Sequence, residues 1–315
     1  SVALAAPTGR AAQRLTEVTG IQAKTVHRLL EWAPQENGFS RDESNPLNAQ
    51  VIVVDEASML DIRLARSLIM AVNPTSQIIF IGDVDQLPSV GPGNVLRDLI
   101  ESEKVPYCRL TEIFRQAASS HIVRIAHEIN SGTSPQFPDD DTSDCRLIEV
   151  DNPMHLKDVI KDLLSDTLPN KGKYDAMKDV QVLTPMNRGD LGTKNLNDEL
   201  QALLNPPKEG SEEELKTGHT TFRPHDKVIQ ISNNYDLNVF NGDIGFVEHA
   251  GVEGGKIVVK FSGRSVTYSK EDSYDLRLAY AITIHKSQGS EFPVVVIPMS
   301  MQHFIMLQRN LIYTA

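Results

Sequence analysis

Short, wholly apolar runs alternate with amphipathic stretches along the first third of the chain. Val2-Ala-Leu-Ala5 ends at Pro7-Thr-Gly9, and an amphipathic segment from Arg10 to Val18 follows. Val51-Ile-Val-Val54 ends at Asp55-Glu56, Ile62 to Val72 has helical periodicity and stops at Asn73-Pro74, and Ile78-Ile-Phe-Ile81 ends at Gly82-Asp83. Apolar strands separated by helices predict a parallel sheet covered on both faces. Ligands of such sheets gather beyond the carboxyl ends of the strands, and all three strands carry polar residues there.

Two stretches interrupt this rhythm. Residues 31–48 contain Pro34, Asn37-Gly38 and Asn45-Pro46, which predicts a loop or hairpin projecting from the first domain. Few of them look core-forming, so their deletion is expected to spare the fold. Ser134 to Asp144, with two prolines and four aspartates, reads as a linker. A second α/β unit follows: a strand at Arg146–Val150, a helix near Leu156–Leu164, a strand at Val180–Leu183 and a helix at Leu191–Leu204. Asn205-Pro-Pro207 and the acidic Glu212–Glu214 break the pattern again. Lys227–Ser232, Ile244–Glu248, Lys256–Phe261 and Ser265–Ser269 then alternate at strand period, with Asn-Gly and Gly-Gly turns between them, and predict a small SH3-like β-barrel. The α/β pattern resumes from Leu278, so the barrel reads as an insertion.

Composition adds exclusions. The chain has 315 residues, enough for about two domains. No apolar run approaches membrane-spanning length, and Cys108 and Cys145 form no C-x-x-C and no disulfide framework, which suits reduced thiols and a cytoplasmic setting. Taken alone, the net charge of −11 argues against a general nucleic-acid binder. Charge is uneven, however: residues 276–315 hold three basic side chains and one acidic, while 135–205 hold eight basic and fourteen acidic. A narrow groove in an acidic protein can still take a polyanion through local charge and backbone amides.

Candidate chemistry sits at the strand ends. A strand-terminal Asp55 can hold Mg²⁺, and the adjacent Glu56 can orient an attacking water for phosphoryl transfer. A bare Asp-Glu pair is commonly two solvated acids; the context Val-Ile-Val-Val-Asp-Glu-Ala-Ser-Met gives it weight. Gly82-Asp-Val-Asp-Gln-Leu-Pro-Ser-Val90 is a turn in which Gln86 can sense a terminal phosphate. Arg115, in Leu110-Thr-Glu-Ile-Phe-Arg-Gln116, can reach a phosphate, and His27, in Lys24-Thr-Val-His-Arg-Leu-Leu30, can contact nucleic acid or be structural. His127-Glu128 is followed by Ser131, so the zinc motif H-E-x-x-H fails.

The order and spacing of these segments resemble superfamily 1 helicases of the 5′-to-3′ branch (superfamily 1B). Within that branch they are most similar to the RecD/TraA-like family, typified by the alpha subunit of exodeoxyribonuclease V and its stand-alone relatives. Ala6-Pro-Thr-Gly-Arg-Ala-Ala12 resembles motif Ia and Thr25-Val-His-Arg28 the motif after it. Val54-Asp-Glu-Ala-Ser58 resembles motif II, Gly82–Val90 motif III, and Phe114-Arg-Gln116 motif IV. Ala281-Ile-Thr-Ile-His-Lys-Ser-Gln-Gly-Ser-Glu-Phe292 resembles motif V, and Arg309-Asn-Leu-Ile-Tyr-Thr-Ala315 the opening of motif VI.

The resemblance implies an α/β fold of two RecA-like parallel-sheet domains. Domain 1A would occupy 1–134, with a pin-like 1B insertion at 31–48. Domain 2A would occupy 135–205 and 276–315, with the SH3-like 2B insertion at 206–275. It implies ATP and Mg²⁺ as cofactors, single-stranded DNA and single-strand/duplex junctions as substrates, and room for other recombination or repair subunits as partners, with no membrane. Asp55 would bind Mg²⁺ and Glu56 would be the catalytic base, with Gln86 and Arg115 at the γ-phosphate. Gly289 and Glu291 would lie near the nucleotide sugar. Pro7, Thr8, Thr25, His27, Thr283 and His285 would line the DNA path. Asn241, in Phe240-Asn-Gly-Asp243, would face DNA or simply form a hairpin turn. ATP binding would close the cleft between the two α/β domains.

Against the family pattern, no G-x-x-x-x-G-K-[ST] occurs in the chain. The family places that phosphate loop upstream of motif Ia and the motif VI arginine after the position of Ala315. These 315 residues therefore read as a fragment of a larger helicase, inactive alone. The alternatives are a non-catalytic nucleic-acid-binding module and the helicase half of a conjugative relaxase.

Overall fold

The computed structural model describes residues 1–33, 38–110, 119–138, 143–170, 174–208, 213–234, 236–252 and 254–315. The chain divides into two compact units, Ser1–Glu149 with Leu307–Thr314, and Val150–Met306 with Ala315.

The first unit is built on a parallel sheet in the order β2-β1-β5-β6, formed by β1 (Val2–Ala6), β2 (Ala23–Thr25), β5 (Val51–Val54) and β6 (Gln77–Phe80). Register is set by Leu4 opposite Val53 and Val53 opposite Ile79. The connecting helices are α1 (Gly9–Thr19), α2 (Val26–Leu29) and α3 (Ile62–Ala71), with α4 (Val95–Glu101) and α5 (His121–Ser131) after β6. Local chemistry starts and stops them. The Thr8 hydroxyl accepts from Ala11 N–H at the head of α1, Asp61 accepts from Arg63 and Leu64 N–H at the head of α3, and Gly20 closes α1 at φ 68°. Ile52 and Val54 of β5 are buried against Leu60, Leu64 and Leu68. Expected cover on both faces is not observed across the whole sheet: β5 buries alternate residues, and Ile79 of the edge strand β6 is 38% exposed.

The segment 31–48 contains a two-stranded hairpin, β3 (Trp32–Ala33) with β4 (Gly38–Phe39). Trp32 and Phe39 meet edge to face at 4.9 Å, and the His27 ring lies 5.8 Å from Phe39. The returning arm differs from the sequence expectation. Leu47 is buried in the core of the first unit and its N–H donates to Ala71 O at 2.7 Å, so the segment is part projection and part core. Its polar, turn-rich composition conceals this one leucine. Leu47→Ala is expected to lower the unfolding free energy of the protein by about 2–5 kcal/mol, measured by denaturant titration, whereas substitution of exposed Glu43 leaves it unchanged.

Residues 146–150, expected to form the first strand of the second α/β unit, do not form one, and all but Val150 belong to the first unit. Among the described residues no strand is laddered to them, and Leu147 and Ile148 are 48% and 50% exposed. Helix α6 (Leu156–Asp162) runs through a π-turn at Leu163–Thr167 into α7 (Leu168–Asn170). β7 (Val180–Thr184) is buried throughout, and α8 (Thr193–Leu204) covers it together with α6.

A hairpin, β8 (Leu215–Thr217) with β9 (Thr220–Phe222), precedes an antiparallel sheet in the order β13-β12-β11-β10-β14. Its strands are β10 (Lys227–Gln230), β11 (Ile244–Val252), β12 (Lys256–Phe261), β13 (Arg264–Tyr268) and β14 (Leu276–Leu278). Gly254 and Gly255, at φ 81° and 70°, make the tight turn between β11 and β12. The ladder runs three residues past 275, and among the described residues no pairing closes β13 onto β14. Then β15 (Ala281–Thr283), the short helix α9 (Ile284–Ser287) and β16 (Val294–Val296) complete a parallel sheet in the order β15-β7-β16. One hydrophobic core joins Val228, Tyr268 and Leu276 of the inserted sheet to Val180, Leu196 and Leu200 of the α/β part. The last helix, α10 (Arg309–Thr314), packs with the first unit, against α5.

Candidate functional site

In the first unit the sequence-predicted residues collect at the carboxyl ends of the parallel strands. Asp55 follows β5; its N–H donates to Ala5 O at 2.9 Å, and its carboxylate accepts from Glu56 N–H at 2.9 Å. Glu56 itself sits at φ 53°, ψ 38°, a left-handed conformation that is uncommon for a residue with a side chain. The bend lets Ala57 N–H donate to Ile81 O at 2.8 Å, stitching the end of β5 to the end of β6. Gly82 permits the approach: a Cβ there would lie 3.0 Å from the backbone nitrogens of Ala57 and Ser58.

Three carboxylates converge electrostatically. Burial pushes the Glu56 carboxyl above the usual range, and the charges of Asp55 and Asp83 push the same way. Asp83 is held on three sides: it accepts from Asp85 N–H at 2.9 Å, from the Tyr313 hydroxyl at 2.8 Å, and from Gln86 Nε2 at 3.5 Å. Leu87 N–H donates to the Thr314 hydroxyl at 2.9 Å, so adjacent residues of α10 hold both ends of the loop bearing Gln86. Asp85 accepts from Arg109 and Asn130, each at 2.9 Å. Sequence reading singled out Gln86 in this loop and missed Asp83 and Tyr313. A Gly-Asp turn suggests only a turn, and the Tyr313 contact spans 230 residues.

Hard oxygen donors suit Mg²⁺. The Asp55 carboxylate and the Ser58 hydroxyl, which is buried and has no hydrogen-bond partner among the described residues, fit such an ion. Among the described residues no cluster of three or more His, Cys, Asp or Glu could hold a metal by itself. That matches the habit of Mg²⁺, which takes one or two carboxylates and completes its shell with water and phosphate oxygens.

The remaining candidates of this unit lie beside the same strand ends. Pro7 and Thr8 follow β1. Thr25, 4% exposed, accepts from Arg28 N–H at 3.2 Å and caps α2, so it orients its neighbours more than it presents itself. His27 follows on α2; burial lowers its pKa, with Asp61 pulling partly back, so the ring is neutral near pH 7. Arg115 lies outside the described residues.

In the second unit, Thr283 ends β15 and is 6% exposed; His285 stands two residues on, in α9, with its pKa lowered by burial. Gly289 at φ 71° turns the chain toward exposed Glu291 and the half-buried Phe292. Asn241 is exposed in a turn closed by Asp243 N–H to Phe240 O at 3.0 Å. No helix among the described residues is long and apolar enough to cross a membrane.

The chain thus carries a parallel α/β sheet with a carboxylate pair at a strand end and, in its second unit, another parallel sheet interrupted by an antiparallel insertion. The same fold appears in the solved structures of the Pif1 helicase from Candida albicans (TM-score 0.57, 19% identity, 100% of this chain and 80% of that one) and of the Bacteroides Pif1 helicase in complex with ADP-AlF3 and ssDNA (0.56, 18%, 100% and 79%). Family models match in order: an AAA domain over residues 1–144, the SH3 domain of ATP-dependent RecD-like DNA helicases over 196–261, and a UvrD-like helicase C-terminal domain over 278–315. The chain is 40% identical over 314 residues to the ATP-dependent RecD2 DNA helicase of Deinococcus radiodurans, and 31% identical over 350 residues to the RecBCD enzyme subunit RecD of Mycobacterium tuberculosis. Each alignment takes in 100% of this chain, which spans 41% and 58% of those relatives' lengths. Over its whole length the chain is thus similar to RecD-like DNA helicases.

Proposed function

We propose that the chain is the motor core of an ATP-dependent 5′-to-3′ DNA helicase that moves along single-stranded DNA in repair or recombination. The observation that carries this is the Asp55-Glu56 pair, bent into the left-handed region at a parallel strand end and facing Asp83. It occurs in a chain 40% identical to an ATP-dependent DNA helicase.

Asp55 would hold Mg²⁺, and the ion supplies charge neutralisation at the nucleotide phosphates. Glu56 is assigned to accept a proton from the attacking water at its carboxylate; its raised affinity for a proton suits a general base. Gln86, steadied by Asp83, and Arg115 are assigned to the terminal phosphate, and Gly289 with Glu291 to the nucleotide sugar. Pro7, Thr8, Thr25, His27, Asn241, Thr283 and His285 are assigned to DNA, with Thr25 acting through the α2 cap. Because burial holds His27 and His285 neutral, they would serve by hydrogen bonding and stacking and would not contribute to the salt dependence of binding. Residues 1–315 hold no G-x-x-x-x-G-K-[ST]. Without those cradling amides and the lysine, this span alone would turn over ATP at background.

The test is strand separation by the intact protein. Duplexes with a single 5′ tail are expected to be unwound with ATP, and duplexes with a single 3′ tail are not. Unwinding of the 3′-tailed duplex alone would reverse the assigned polarity, and unwinding of neither would remove the helicase reading.

A further inference from the structure

Lys227, the first residue of β10, is 3% exposed. Its ammonium donates to Val180 O at 3.1 Å, and the same nitrogen lies 5.8 Å from the centroid of the Phe292 ring, within cation–π range. Burying an ammonium is costly, and an apolar side chain of similar length would fill the space without that cost. What the charge adds is geometry. Val180 opens β7, the central strand of the α/β sheet, while Phe292 ends the Gly289–Phe292 loop that leads into β16.

The next residue back, Asp226, is fully buried and tied as firmly. It accepts from Gln201 Nε2, Asn205 Nδ2, the Tyr280 hydroxyl and Arg223 N–H, each at 2.7 Å. Asn197 meanwhile bonds both backbone groups of Ala281 at 2.9 Å. The inserted sheet is thus joined by adjacent charged residues to the α/β sheet and, through Phe292, to the loop carrying Glu291. That loop turns at Gly289 in a left-handed conformation and ends in exposed Glu291, so its placement depends on what grips its far end.

We propose that Lys227 is a positioning residue for the nucleotide loop: it holds Phe292, and with it Glu291, so that the SH3-like insertion and the Gly289–Phe292 loop move as one body. This rests on the assignment of Gly289 and Glu291 to the nucleotide. A change in the insertion, such as contact with DNA, would then be read at the nucleotide without passing through the catalytic carboxylates.

The test uses the intact protein with Lys227→Met and Phe292→Leu, singly and combined, and two readouts. Hydrogen exchange of amides 289–296 is expected to quicken in each single variant while the β11–β13 amides stay protected. Affinity for a fluorescent ATP analogue is expected to fall about tenfold in each, as befits a lost desolvated cation–π contact. The double variant should be no worse than either single one, because both remove the same contact. Lys227→Arg should restore most of the affinity. Additive losses, or unchanged exchange over 289–296, would overturn the proposal. If Lys227→Met does not fold, Phe292→Tyr against Phe292→Leu decides: only the leucine variant should loosen the loop, and equal behaviour of the two sinks the idea. Failure of the wild-type protein to bind the analogue would count against the nucleotide assignment itself, while the exchange result would still judge the Lys227–Phe292 coupling.

Discussion

Replacement of Glu56 by Gln in the intact protein is expected to cut ATP turnover by about 10²–10⁴-fold, the usual worth of a positioned general base, while nucleotide binding persists. The amide keeps the shape of the side chain but cannot take a proton. Asp55, the assigned Mg²⁺ ligand, is untouched, so Asp55→Asn should differ by weakening Mg²⁺-dependent nucleotide binding as well. Stability should move the opposite way to activity. The folded-state pKa of Glu56 is raised by burial and by the neighbouring Asp55 and Asp83 charges. Between the ordinary glutamate pKa and this raised value, the folded protein keeps a proton that the unfolded chain releases. The contribution of this site to stability therefore falls as pH rises through that window, and the penalty is fully present above it. Glu56→Gln has no such penalty, so it should melt above wild type at pH 7, with the difference shrinking at pH 4. A variant that melts lower at pH 7 would show that Glu56 is favourably placed as a charge, contrary to its assigned role as a crowded base.

The largest structural effect is expected at Asp226. Removing its carboxylate with Asp226→Ala takes away an acceptor shared by Gln201, Asn205, the Tyr280 hydroxyl and Arg223 N–H, of which Gln201 and Asn205 keep one bond each, to Thr221 O and Pro224 O. Each buried neutral donor left unpaired costs about 1–3 kcal/mol, and these donors lie on three separate segments of the second unit. Asp226→Asn should be milder, since one oxygen still accepts while the new amide meets donors head on. Burial raises the Asp226 pKa, and the hydrogen bonds from Asn205, Tyr280, Arg223 and Gln201 pull it back only in part. Denaturant unfolding followed by hydrogen exchange over 193–204 and 276–283 would localise the damage. A loss below 1 kcal/mol in Asp226→Ala would mean that water replaces the carboxylate and that the junction is not the keystone of this unit.

The parts of the site legible in the sequence were those whose chemistry follows an apolar run directly. Asp55-Glu56 and Gly82-Asp83 stand where short strands end, and the parallel pairing of β1, β5 and β6 brings them to one edge. The inserted sheet was legible from its alternation and its Gly-Gly turn. What escaped depends on contacts distant in sequence. Leu47 stands in a polar, turn-rich stretch, and its burial follows from pairing with Ala71 O. Arg146–Val150 has apolar residues but no partner strand among the described residues, so composition alone suggested a strand there. Tyr313 and Lys227 are ordinary in their local sequence, and only the fold sets one against Asp83 and the other against Phe292. Thr8 and Thr25 were legible only as polar positions of the resembled motifs, and their hydroxyls serve as helix caps.

ATP hydrolysis by the intact protein, measured with and without a single-stranded oligonucleotide, tests the central claim most directly. A DNA-driven motor whose strand-end carboxylates perform hydrolysis should show a rate that rises severalfold or more on addition of DNA, with the stimulated rate lost in Glu56→Gln. A rate indifferent to DNA, or one that survives Glu56→Gln, would contradict the account.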